Sequence, residues 1–196
     1  MYKPISEVGE LKFNSCEGCA HNCCTPQGGF SLAPLILEDF TEVYERFPIV
    51  FAYVNQVFKC VIILNNGEKD CIYFDDKKRL CTIYENRPPA CNMYPISPLF
   101  DDICVDTSCH AVGDVGDFLC NKDGFSNSFY HKRVEGFYPK LRNTQKFLNQ
   151  IRYTTTQVKT IVGIDLFKLA DDAEYDEEFQ PFVDMHAKSL QFLGNY

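Results

Sequence analysis

The chain has 196 residues, 45% of them hydrophobic, which is enough for one buried core or for one core with a small appendage. Its formal charge of -8 at pH 7 makes nucleic acid and anionic membranes unsuitable partners, because both are bound mainly through clustered lysines and arginines. No apolar stretch is long enough for a signal peptide or a membrane span, so we expect a cytoplasmic globular protein.

The first hundred residues predict short elements separated by turns. An apolar run at 30–37 favours a strand, and the helical spacing of apolar residues after it predicts a helix over 38–47. A run rich in β-branched residues at 57–64 favours a second strand. The turn sequence at 65–67 and a further apolar run at 71–74 then predict a β-hairpin.

The C-terminal part has apolar residues at helical spacing. This spacing predicts a helix over 129–148 and two shorter helices over 156–170 and 176–192. We therefore predict an α+β protein of two parts. A small irregular cysteine-rich domain with a short β-hairpin and a helix would occupy residues 1–125, and a helical extension packed on it would occupy residues 126–196.

Eleven cysteines are the clearest functional signal, and all of them lie between Cys16 and Cys120. In a reducing compartment thiols persist unless a metal or a catalytic cycle uses them. An odd number of cysteines without a secretion signal also fits a disulfide framework poorly. Metal ligation is therefore favoured over disulfides and over a set of purely structural thiols.

The first cysteine motif contains Cys16, Cys19 and the adjacent pair Cys23 and Cys24. A C-x2-C unit lets two sulfurs on a tight turn face one metal ion. Neighbouring side chains usually point apart, so we expect one cysteine of the pair to join Cys16 and Cys19. The other is either a structural thiol or a ligand of a second centre.

The second motif places Cys71, Cys81 and Cys91 at steps of ten residues, with proline-stiffened chain before the last of them. Arg87 either offsets the negative charge of gathered thiolates or forms a surface salt bridge. Cys109 is the better candidate than Cys104 to complete the ligand set, because its neighbours suggest a polar loop.

Other cysteines and histidines have simpler explanations. Cys60 and Cys120 lie beside apolar residues and are predicted to be core thiols. His21 and His110 each neighbour a cysteine, but with so many thiols present we expect them outside the ligand shell.

The two motifs together resemble the YkgJ-type cysteine-cluster family, which carries the zinc- or iron-chelating CxxCxxCC domain. The chain is more distantly similar to flagellin lysine-N-methylases that share this cluster. The resemblance covers roughly residues 12–110 and depends on two multi-residue motifs in the right order. Here three residues, 20–22, separate Cys19 from the cysteine pair, where the family name implies two. The matching residues are Cys16, Cys19, Cys23, Cys24, Cys71, Cys81, Ile83-Tyr84-Glu85, Arg87-Pro88, Cys91 and Tyr94-Pro95.

The number of thiols favours iron, as an iron–sulfur cluster, over a single zinc ion, which uses four ligands. Zinc remains the alternative because C-x2-C units also serve zinc ribbons. Three functions stay open: an iron–sulfur protein with a redox or metal-handling role, a zinc-stabilised module that binds a protein partner, and a methylase-like enzyme. The predicted metal ligands are Cys16, Cys19, Cys23, Cys24, Cys71, Cys81, Cys91 and Cys109.

Overall fold

The structure is a computed structural model, and it describes residues 1–17, 23–26, 29–54, 57–99, 102–151 and 154–196. These residues form thirteen strands in four antiparallel sheets, together with four α-helices and several short 3-10 turns. Within the described part of the chain, no helix has the length and apolar character needed to cross a membrane.

The strands follow one another in chain order, and most of them are short. They are β1 (Tyr2–Pro4), β2 (Leu11–Phe13), β3 (Phe30–Pro34), β4 (Ile49–Val54), β5 (Val57–Asn66), β6 (Phe74–Asp75), β7 (Leu80–Cys81), β8 (Ile96–Leu99), β9 (Asp102–Asp106), β10 (Val112–Gly113), β11 (Asp117–Cys120), β12 (Thr155–Ile161) and β13 (Ile164–Leu169). The helices are α1 (Phe40–Val43), α2 (Pro89–Met93), α3 (His131–Ile151) and α4 (Gln180–Ser189).

The largest sheet has five strands in the order β12-β13-β4-β5-β3. Alternate side chains of β4 point to opposite faces, as the pleat requires, and both faces are buried. Ile49 and Phe51 pack into one apolar cluster with residues of α3 and α4. Val50 and Ala52 pack into another cluster on the opposite face. Burial on both sides makes this sheet the centre of the fold.

Helix α3 connects this sheet to a second apolar core. Leu148, near its C-terminal end, packs in the cluster that contains Phe51. Val134 and Phe137, in its first half, pack in the cluster formed by β8, β9 and β11. The helix therefore positions the smaller sheets, β1-β9-β8 and β10-β2-β11, beside the five-stranded sheet.

The predicted helical C-terminal part is wrong, although α3 confirms the predicted helix over 129–148. Residues 156–170, predicted as a helix, are largely the hairpin β12–β13. Its turn has positive φ at Val162 and Gly163, and β-branched residues alternate along β12, which suits a pleated strand better than a helix. The protein is mostly β, and β13 pairs with β4.

The predicted hairpin between 57–64 and 71–74 is also wrong. Strand β5 continues to Asn66 and pairs with β3 and β4 on its two sides. Strand β6 pairs instead with β7. The division into domains at residue 125 stays a prediction, while the five-stranded sheet takes strands from both sides of that position.

Candidate metal centre

A cavity of about 480 Å³ gathers cysteines from both sequence motifs. Its walls are largely apolar and include Phe30, Leu32, Phe47 and Ile83. None of the ten described cysteines forms a disulfide with another described cysteine. The cysteines that line the cavity are Cys16, Cys23, Cys24, Cys71, Cys81 and Cys91.

Cys71 and Cys81 reach the cavity from the two ends of the β6–β7 hairpin. The backbone N–H of Phe74 donates to the Cys71 carbonyl at 2.8 Å, which forms a turn before β6. The Asp75 carboxylate accepts from the backbone N–H groups of Lys77 and Lys78 at 3.0 and 3.1 Å, and so stabilises the reversal of the chain. Cys81, opposite Phe74 in the register, is thereby held near Cys71.

Cys91 is presented by the short helix α2. Pro89 stands in its first turn, where the missing N–H of proline costs nothing. The Asn92 side chain donates to the Arg87 carbonyl at 3.1 Å and accepts from Arg87 Nε at 2.5 Å. Burial raises the pKa of the Cys91 thiol, the neighbouring thiols raise it further, and Arg87 opposes this shift.

Cys24 lies directly beside Cys71. The backbone N–H of Cys71 donates to the Cys24 carbonyl at 2.7 Å, so the two segments are joined at this point. The Cys24 thiol is hydrogen-bonded to the thiols of Cys23 and Cys71. Its contact with Cys23 raises the pKa of Cys24 most strongly, and its contact with Cys71 acts in the opposite direction.

Four thiols affect one another electrostatically, and we call Cys24, Cys71, Cys81 and Cys91 the inner thiol set. The negative charge of each of the other three raises the pKa of Cys91. The contact with Cys24 raises the pKa of Cys71, and burial adds to it. Thiols in this arrangement stay protonated unless a cation offsets the negative charge of the thiolates. A bound metal ion supplies that positive charge and so favours the thiolate form. The donors of this set are soft sulfur ligands and fit zinc or iron.

A second group of residues lies next to the inner thiol set. Tyr94 and Tyr2 line the cavity, and the Tyr94 hydroxyl donates to Asp106 Oδ2 at 3.1 Å. Burial raises the pKa of Tyr94, and the charges of Cys109 and Cys23 raise it further. Cys109 is therefore close to this group, although it does not itself line the cavity and is only 8% exposed.

The other cysteines and histidines that the sequence analysis considered lie in the buried core, outside the described residues or at the cavity. Cys60 and Cys120 are buried in separate apolar clusters, and Cys104 is buried on β9. Cys19 and His21 lie outside the described residues, whereas His110 lines the cavity. Among the residues that the structure describes, no three Cys, His, Asp or Glu side chains are grouped closely enough to hold a metal ion as they stand.

Tyr2 is a cavity residue that the sequence analysis did not identify. It reaches the cavity because β1 pairs with β9, with Tyr2 opposite Asp106 in the register. No local motif marks it, since its position depends on pairing between strands about a hundred residues apart. Tyr94 had a signal in the Tyr94-Pro95 step of the second motif.

The sequence of the chain matches the model of a known protein family. The sequence model of the family described as "CxxCxxCC: putative zinc- or iron-chelating domain" matches residues 15–114, about half of the chain. The matched region contains the cysteines that line the cavity. No solved structure matches the chain.

Proposed function

Because the chain belongs to the CxxCxxCC family of zinc- or iron-chelating domains, its cysteine-rich part binds metal, and we propose that this metal is iron in an iron–sulfur cluster. The cluster would serve a redox or metal-handling role. One observation carries the proposal. The inner thiol set brings four cysteines from three separate segments to one cavity.

The number of thiols supports iron over a single zinc ion. Zinc in a structural site takes four ligands, and the inner thiol set alone would satisfy it. Cys16 and Cys23 line the same cavity, and Cys109 lies close to it. A single zinc would leave all three without a metal and would leave the partly exposed Cys16 and Cys23 open to oxidation, whereas a cluster with exchangeable or protecting thiols, or two centres, uses more of them.

The cavity wall supports the same assignment. Phe47 and Ile83 contribute apolar surface, and apolar surroundings keep solvent from a cluster and tune its reduction potential. Arg87 lies near Cys81 and Cys91 and lowers the pKa of both thiols against the effect of burial. In the proposed centre the inner thiol set would draw closer together and hold the cluster, since no three of these side chains are grouped closely enough as they stand in the described residues. The cluster would supply one-electron transfer.

Metal analysis of anaerobically purified protein tests the proposal. We expect brown protein that contains iron and acid-labile sulfide and that bleaches on reduction. Colourless protein with one equivalent of zinc, which iron and sulfide do not displace, would rule out the cluster. That result would favour the second candidate, a zinc-stabilised module, because four thiols equal the number of ligands that tetrahedral zinc requires. The methylase-like function stays a prediction.

Single substitutions test the assignment of ligands. Replacing Cys71, Cys81 or Cys91 by serine should abolish stoichiometric metal binding, because each removes one sulfur of the inner thiol set. Cys60→Ser and Cys120→Ser are the matched controls, since both thiols are buried in apolar clusters and neither lines the cavity. Equal loss of metal in Cys60→Ser and Cys91→Ser would show that the assignment is wrong.

A further inference from the structure

Two arginine–aromatic pairs lie side by side at the rim of the cysteine cavity. The Arg87 guanidinium lies 3.8 Å from the centre of the Tyr84 ring, and the Arg133 guanidinium lies 4.4 Å from that of Phe129. Tyr84 is 40% exposed and Phe129 is 70% exposed, although both are large hydrophobic residues. We call these four residues the arginine–aromatic surface.

Asn92 joins the two pairs. It accepts a hydrogen bond from Arg87 Nε through its side chain, and its backbone carbonyl accepts one from Arg133 Nη1 at 3.0 Å. Each guanidinium is thus held by a ring and by a hydrogen bond. Side chains fixed in this way lose little conformational entropy when a ligand binds to them.

No carboxylate of the described part of the chain forms a salt bridge with the arginines of this surface. Arg79, by contrast, pairs with Asp76 at 2.9 Å. Arg46 adds a third positive charge nearby, since its Nη1 donates to the Asn86 carbonyl at 2.7 Å.

Exposed charges of both signs surround the surface, including Glu135, which pairs with His131 at 3.2 Å on the helix that carries Arg133, and Glu45, which precedes Arg46. Glu85 follows Tyr84 and Lys132 precedes Arg133, and both side chains are exposed. The local excess of arginine is notable because acidic residues outnumber basic ones, 27 to 19, in the whole chain.

The position of the surface links it to the metal centre. Tyr84 and Arg87 line the cavity together with Cys16. Phe129 packs edge-on against Tyr130 at 5.8 Å, and Tyr130 is close enough to Cys16, Arg87 and Arg133 to be affected by their charges. A molecule bound to this surface would therefore stand beside the opening of the cysteine cavity.

We propose that the arginine–aromatic surface docks a carboxylate-rich segment of a partner protein. Guanidinium groups bind carboxylates through two parallel hydrogen bonds, and exposed tyrosine, phenylalanine and arginine are enriched at protein interfaces. Single-stranded nucleic acid also stacks on aromatic and arginine side chains. However, a nucleic-acid strand would extend beyond the arginines and would be repelled by the rest of the chain, whose net charge is -8. A short acidic segment would contact only the arginines.

Binding of a short fluorescein-labelled oligo-glutamate to the metal-loaded protein tests this proposal by fluorescence anisotropy. We expect binding that weakens as salt rises, because the contacts are ionic. Arg133→Gln and Phe129→Ala should each weaken it about tenfold or more, which corresponds to a loss of about 1.4 kcal/mol. Arg142→Gln is the matched control, since Arg142 lies on the same helix, 5.1 Å from the Tyr138 ring.

The metal content of each variant separates this proposal from the one on the cluster. Neither Arg133 nor Phe129 lines the cavity, so both variants should keep their metal. Absence of oligo-glutamate binding at low ionic strength would overturn the docking proposal, as would equal weakening in Arg142→Gln. Tighter binding of a labelled oligothymidylate would assign the surface to nucleic acid and overturn it as well. Protein that contains zinc rather than iron would leave it standing.

Discussion

The five-stranded sheet and the cysteine cavity are built in opposite ways. In the sheet, Ile49, Phe51 and Ile62 are completely buried, and the packing of apolar side chains on both faces fixes its position. Around the cavity, β6 and β7 have two residues each and α2 has five, and these segments are joined by turns and a few backbone hydrogen bonds. The comparison suggests that burial stabilises the first region and that metal binding stabilises the second.

Removal of the metal should have the largest effect of the changes proposed here, and it tests whether metal binding stabilises the cavity region. We expect chelation to melt the segments around the cavity, because thiolate ligation contributes about 10–16 kcal/mol in small zinc domains at pH 7. The amide hydrogens of Thr82 and Asn92 should then exchange quickly in deuterium oxide, while those that pair β4 with β5 stay protected. A melting temperature that is the same with and without metal would contradict the comparison.

Phe51→Ala tests the sheet itself. Phe51 stacks on Phe58 with 5.3 Å between ring centres and contacts Phe182 edge-on, so its truncation leaves a large cavity. We expect a loss of about 3–5 kcal/mol in the free energy of unfolding, measured with urea. Phe129→Ala, the same substitution at a 70% exposed position, should change it by less than about 0.5 kcal/mol.

His186, which is buried next to Phe51 of the sheet, should make the stability of the protein depend on pH. Burial lowers the pKa of His186 from its ordinary value of 6.5 to about 4, so the folded protein keeps this ring neutral. The unfolded chain takes up a proton first as the pH falls. Stability should therefore be unaffected above pH 6.5 and should decrease between pH 6.5 and about 4, by about 3 kcal/mol in total. In His186→Gln this decrease should disappear, and its persistence would assign the effect to other groups.

Ser189→Ala tests how α4 is attached to β4 and should have the smallest effect. The backbone N–H of Ile49 donates to Ser189 Oγ at 3.0 Å, and the hydroxyl donates to the His186 carbonyl. Loss of the hydroxyl leaves a buried N–H without its acceptor, which costs about 1–3 kcal/mol. Ser126→Ala, at an exposed position, provides the comparison for urea unfolding.

Sequence reasoning worked where the signal was local. Apolar spacing over three turns or more identified α3, and the cysteine motifs identified the thiols that line the cavity, although their assignment as metal ligands is still a prediction. It failed for β12 and β13, where apolar residues can be fitted to a helical period although β-branched residues alternate. It also missed β4, because short apolar runs do not distinguish strands from helices.

Pairing between distant segments was beyond the reach of sequence patterns. Tyr2 enters the cavity only because β1 pairs with β9, and no residue near Tyr2 specifies that partner. Similarly, the contact of β13 with β4 brings together residues more than a hundred positions apart. Such contacts depend on which surfaces bury the most apolar area in the whole chain.

The pairing of β13 with β4 has a consequence for fragments of this protein. A fragment that ends at residue 125 lacks β13, so the β4 backbone loses the neighbour that lies opposite Phe51 and Ala52. It would then present unpaired N–H and C=O groups beside a strongly apolar strand, which is a template for association with other chains. We expect such a fragment to aggregate during expression even if its cysteines are all loaded with metal, because the exposed strand lies in the sheet rather than at the thiols.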